Sequence, residues 1–171
     1  MKSDLYILRE HHKDLSTTEM IRKTGHRIEI RILKQEIVEA NHHISRQLNL
    51  PLASKLLYVE RLIVVDGEAR AFEKLYLNLN EIKGIENVNL DDRFFHDYLN
   101  KEKGINKLFN KEEVLIVKAN ETEKKMLDLD QEEEIILIKG IATTENDTPL
   151  EYYETAADTA FYRYRRVSSY E

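Results

Sequence analysis

The chain repeats itself. Slid by 79 residues, its first half falls on its second with seven identities in one ungapped stretch: Gly25 on Gly104, Ile37-Val38 on Ile116-Val117, Ala40-Asn41 on Ala119-Asn120, Leu48 on Leu127 and Leu50 on Leu129. Two copies at so long a spacing exclude a solenoid, which needs about three or more short units to cover its faces. They predict one domain of two pseudo-symmetric halves, residues 16–76 and 95–155. The length of 171 residues suits one such domain and its core.

Each half shows the same order of signals. A helix comes first: Ser16-Thr17-Thr18-Glu19 has capping-box spacing and Gly25 closes the turn, while 94–103 runs helically to Gly104. A strand follows, with Ile28, Ile30 and Ile32 alternating against Arg27, Glu29 and Arg31, and a less regular copy near 114–117. A short helix then starts at Asn41 and at Asn120, where Asn120 with Glu123 makes the better cap. Last comes a hairpin, 56–77 around Asp66-Gly67 and 134–155 around Asn146-Asp147. Helix-then-strand order with hairpins predicts an α+β fold, a mostly antiparallel sheet with helices beside it. A further strand, 161–167, has no counterpart in the first half.

Strand alternation sorts the first hairpin into faces. With Val65 opposite Ala69, one face carries Leu57, Val59, Arg61, Ile63 and Val65 beside Ala69, Ala71, Glu73, Leu75 and Leu77. Arg61 and Glu73 then stand across from each other in apolar company. Burying both ions costs several kcal/mol each by roughly the general figure, so the pair needs a reason. Either Arg61 grips an anionic or polyhydroxylated ligand at a cavity with Glu73 orienting it, or the two form a satisfied structural ion pair. In the second hairpin the offset puts Gly140 at the place of Arg61 and Ala142 at that of Ile63, which could leave space. The strand 150–155, LEYYET, offers Tyr152 or Tyr153 and Glu151 or Glu154 to the same cavity, although strand tyrosines also serve as packing.

Composition removes several classes of chemistry. Without Cys there is no disulfide framework, thiolate zinc site or cysteine nucleophile. The His pairs His11-His12 and His42-His43 are adjacent, so their side chains diverge on a helix, and no metal site or cofactor is read. No apolar run approaches the roughly 20 residues that span a bilayer, and Met1 opens a charged segment rather than a secretory signal, so a cytoplasmic protein without membrane contact is expected. A net charge of −6 argues against nucleic-acid binding by this chain alone, since that affinity comes mainly from Lys and Arg on phosphates. FYRYRR, 161–166, interleaves basic and aromatic residues, but its period of two fits a strand with a charged face. An edge strand with Tyr162 and Tyr164 on one face and Arg163 and Arg165 on the other would suit self-association.

Three segments in this order resemble the UTRA ligand-binding domain of HutC-type GntR bacterial transcription regulators: LSTTEMIRKTGHRIEIRIL, LNLPLASKLLYVERLIVVDGEARAFEKLYLN and PLEYYETAADTAFYRYRR. The resemblance covers nearly the whole chain. It implies a chorismate-lyase-like fold and a homodimer whose pocket binds a small metabolite effector (a sugar, sugar phosphate or carboxylate) and so controls a DNA-binding domain, which acts as a repressor and is absent from this chain. Residues 1–14 then read as the connector and 15–171 as the ligand-binding domain. By family likeness the ligand residues are Ser16, Thr17 and Thr18, Arg61, Glu73 and Glu154, with Tyr152 beside them. Ile63 stands where sugar-phosphate-binding members often have a second arginine, and Phe94 where they have a serine, so a carboxylate or neutral sugar is equally open. The alternative is a lyase-type enzyme on the same fold, acting on a small carboxylate, with Arg61 gripping it and Glu73 or Glu154 as acid or base.

Overall fold

The computed structural model describes residues 5–10, 17–90, 92–130, 133–165 and 167–170. Twelve elements carry labels: β1 (Ile7–Glu10), α1 (Thr17–Lys23), β2 (Ile28–Glu39), α2 (His42–Gln47), β3 (Lys55–Val65), β4 (Glu68–Asn78), α3 (Asp92–Lys103), β5 (Phe109–Lys118), α4 (Glu121–Leu127), β6 (Glu134–Thr143), β7 (Pro149–Asp158) and β8 (Tyr162–Arg165). The order confirms α+β.

Local chemistry repeats with the elements. Gly25 and Gly104 both turn the chain at positive φ, +80° and +65°, which costs glycine little. Asn41 and Asn120 are both N-caps with nearly the same backbone, and each side-chain oxygen accepts from the amide three residues on, at 2.9 Å. Glu123 returns the bond to the Asn120 amide at 2.8 Å, completing a capping box that α2 lacks. The 79-residue offset thus carries β2, α2 and β3 onto β5, α4 and β6.

Six strands form one antiparallel sheet in the order β2-β3-β4-β7-β6-β5, so the halves meet along β4 and β7. In that seam the offset becomes 80, because Lys74, and not a position between residues, meets its own counterpart Glu154. The two hairpins differ: Asp66-Gly67 makes a two-residue turn, while the second loop spans 144–148. Each also carries a bulge, at Ile63/Val64 and at Ala142/Thr143. The expected one-offset superposition therefore slips by a residue in its last strand.

The first bulge corrects the expected register too. Arg61 faces Glu73 as anticipated, but Val65 pairs with Glu68 and Val64 with Ala69. Arg70 is the extra residue, and its side chain is fully buried.

Both faces of the sheet are covered. On the Arg61 face, α1 and the small parallel sheet β1-β8 pack Ile21, Ile7, Phe161 and Tyr162 onto Ile63, Val65, Ala71, Ile136, Ile138 and Ala157. Beside this cluster, α3 and the turn before it set Phe95, Leu99, Ile82, Ile85 and Leu90 against Leu57, Val59, Leu75 and Leu77. The opposite face holds α2 at one end and α4 at the other. Between those helices runs a row of alternating sign across all six strands: Lys34, Glu60, Lys74, Glu154, Lys139 and Glu113.

β8 pairs along one edge with β1, and Tyr162 is buried against Phe161 with ring centroids 4.9 Å apart, so of the aromatic face expected to bind a second copy Tyr162 is used inside the domain while Tyr164 stays exposed. Residues 7–10, read from sequence as part of a connector, are correspondingly built into the core through Ile7.

Candidate functional site

The two apolar clusters on the Arg61 face are separated by one polar row. Arg61, Glu73 and Thr155 lie side by side on β3, β4 and β7, each less than a tenth exposed. Arg61 Nε donates to Glu73 Oε2 at 2.5 Å, and its Nη1 donates to the Leu90 carbonyl at 3.0 Å. Thr155 Oγ1 donates to Glu73 Oε1 at 3.2 Å, so both carboxylate oxygens are engaged. The strands fix this geometry because the Asp66-Gly67 turn and the bulge at Arg70 together set the β3–β4 register and the Lys74–Glu154 seam sets that of β7. Chemically, the row offers a preoriented guanidinium with its counter-charge at its back, in surroundings that strengthen electrostatic contacts.

The residues expected in one site are divided by the sheet. Arg61 and Glu73 are together. Thr18 is fully buried on α1, whose Ile21 packs with Ile63, Val65 and Ala71 next to the row. Ser16 lies outside the described residues, and for Thr17 only the helical backbone is described. Tyr152 and Glu154 lie on the other face, which corrects their expected place beside Arg61: Glu154 is the member of the charge row opposite Lys74, and strand alternation turns it away. There, Tyr152 Oη donates to Glu154 Oε1 at 2.8 Å and lies 3.2 Å from His43 Nε2. Burial first, and the Glu154 contact second, hold the Tyr152 hydroxyl above its usual range, so it stays a donor.

Alternation gives the Arg61 face Tyr153 instead. Its hydroxyl donates to Glu112 Oε1 at 2.6 Å, and its ring lies over Gly140, where an added Cβ would come within 2.2 Å of the ring. The space that a glycine there could have left is thus filled. Glu112 also accepts from Arg9 Nη1, which is 3.0 Å from both carboxylate oxygens. Burial, then the Glu112 charge, pushes the Tyr153 hydroxyl up. Arg70 is a further cation on this face and is fully buried: its Nε lies 3.1 Å from Asp158 Oδ2, its Nη2 donates to the Leu5 carbonyl at 2.9 Å, and its guanidinium covers the Phe161 ring at 4.9 Å. Sequence reading missed Thr155, Glu112, Arg9 and Arg70. Thr155 was accessible from parity, as the residue two past Tyr153; Arg70 was hidden by the bulge, and Glu112 and Arg9 by separation along the chain. A cleft of about 370 Å3 beside the end of α3, lined by Asp97, Asn100, Asn106 and Lys107 among others, shares no residue with the Arg61 row.

Residues 23–163 match the UTRA domain family. An uncharacterized HTH-type transcriptional regulator, YurK of Bacillus subtilis, is 26% identical over 133 residues, which cover 78% of this chain and 55% of that protein. The chain therefore spans about half the length of the curated relative it matches. The solved C-terminal domain of YurK superposes with a TM-score of 0.73 at 23% identity, covering 80% of this chain and 94% of that one. The effector domain of PhnF from Mycobacterium smegmatis reaches 0.80 at 14% identity, covering 96% of this chain and all of that one. A GntR-family transcriptional regulator from Bacillus cereus reaches 0.74 at 17% identity over 83% of this chain and 99% of that chain. With the family match spanning most of the sheet and both halves of the repeat, the chain belongs to the UTRA domain family.

Proposed function

We propose that this chain is the effector-binding and dimerisation domain of a HutC-type repressor, with residues 1–14 leading from a winged-helix DNA-binding half while β1 within them packs onto the domain, and residues 15–171 holding a small anionic metabolite. The observation that carries the reading is the Arg61–Glu73–Thr155 row, an ion pair joined by a threonine hydroxyl and set between two apolar clusters of a sheet that effector domains share. A guanidinium fork matches carboxylate and phosphate geometry, so a sugar phosphate or a small carboxylate is the class expected, with Thr18 as neighbour. Control would follow only from unequal affinity for two arrangements of the dimer. DNA contact belongs to the other half, in keeping with the net charge of −6 here, and implies a place in the cytoplasm.

Binding without turnover is favoured over a lyase. Glu73 has both oxygens engaged by Arg61 and Thr155, which suits orientation better than proton transfer, and Glu154 is on the opposite face. Titration calorimetry of the chain against sugar phosphates, neutral sugars and small carboxylates tests the proposal. Binding by one class, weakened in Arg61→Lys, supports it; turnover of a bound carboxylate, or affinity indifferent to Arg61→Lys, overturns it.

A further inference from the structure

The repeat gives the Arg61 locus a twin. Offsets of 79 on β6 and 80 on β7 carry Arg61 to Gly140 and Glu73 to Tyr153, and those two are cross-strand partners as the first pair is. The strand arginine is thus missing from the twin, and the Tyr153 ring occupies its space. An arginine–carboxylate pair is nevertheless present. Glu112 stands across β5 from Gly140, on the same face, and holds Arg9 through both carboxylate oxygens at 3.0 Å while Tyr153 donates to one of them at 2.6 Å. The Arg9 guanidinium lies 5.6 Å from the centroid of the Tyr162 ring. Its side chain and that of Glu112 are each about one-fifth exposed.

We propose that this twin is a docking site for a guanidinium, and that its occupant is Arg9 of the chain's own β1. The second half has lost both members of the strand pair; Glu112 of β5 supplies a carboxylate in their place, and β1 supplies the arginine. β1 pairs with β8 over four residues and seats Ile7 in the core, and the Arg9 contact further latches this strand, which precedes α1, onto the central sheet, 103 residues away in sequence. The inference needs no effector and stands apart from the function proposed for Arg61.

Hydrogen exchange followed by mass spectrometry, on the full chain, tests it with Arg9→Gln and, from the other side of the contact, Glu112→Gln. Either variant should speed exchange across residues 7–10 by about tenfold while leaving β3 and β4 at the wild-type rate, the signature of a local opening. Arg9→Gln also empties the site, so methylguanidinium at millimolar concentration should raise its melting temperature by mass action, and raise that of Arg9→Gln/Glu112→Gln less. Wild-type exchange across 7–10 in either single variant, exchange accelerated equally throughout the sheet, or an equal methylguanidinium shift in both would overturn the proposal.

Discussion

At the scale of single residues, the buried pair dominates. Arg61 is held to Glu73 in a row that is less than a tenth exposed, so Arg61→Ala leaves a carboxylate inside with only Thr155 beside it. Removing one partner of a buried pair costs about 3–5 kcal/mol, more than an apolar replacement of both would. Urea unfolding should show that loss for Arg61→Ala, and a smaller one for Arg61→Met with Glu73→Leu. Ligand affinity, measured where Arg61→Ala remains folded, should fall by about 1.5–3 kcal/mol, the range for a charged hydrogen bond. The pair itself was readable from sequence only because a register with Val65 opposite Ala69 also places position 61 opposite 73; the two-residue Asp66-Gly67 turn alone would have set Arg61 opposite Phe72, and the bulge at Arg70 makes up the difference. Arg70 was not, because a bulge one residue long reverses the parity of everything between it and the turn, and nothing in the residue types announces where the extra residue goes.

At the scale of elements, the second hairpin tests how tightly the halves are packed. Gly140→Ala would drive a methyl into the Tyr153 ring and should cost about 1–3 kcal/mol by overpacking, with most of it recovered in Gly140→Ala/Tyr153→Leu. The two short helices offer a cleaner comparison. Asn120→Ala breaks a reciprocal cap and should lower stability by about 1 kcal/mol in the same urea titration, and at least as much as Asn41→Ala, whose cap is one-sided. These caps were legible because a cap is local: three or four residues contain all its chemistry. The choice between Tyr152 and Tyr153 was not, since LEYYET alternates equally well in either phase. The phase is decided by the β4–β7 seam, a pairing between residues about 80 apart.

For the whole molecule, the prediction concerns assembly. A domain serving a regulator that reads two half-sites is expected to hold two copies together. Light scattering on the isolated chain at micromolar concentration should give twice 20.2 kDa; a value near the single mass would remove dimerisation from the proposed function. Tyr162 is already covered by the chain itself, so on β8 only the exposed Tyr164 is left to contribute aromatic surface to the contact. The overall architecture was readable because a repeat constrains both halves at once: whatever one copy forms, the other must form as well. Its handling of the seam was not, as the extra residue sits in a loop where neither copy has a fixed length.

That seam has one more consequence. Lys74 and Glu154 occupy the same place in the two halves and face each other across the axis that relates them. Were the domain instead a pair of separate, identical half-length chains, symmetry would force each to meet its own likeness there, lysine on lysine or glutamate on glutamate, and like charges directly opposite in a sheet are destabilising. Covalent continuity lifts that constraint. A single polypeptide can write different letters at equivalent places, turning the one position that a symmetric assembly must leave in self-repulsion into a complementary contact, and freeing one half to keep its arginine while the other receives one from elsewhere.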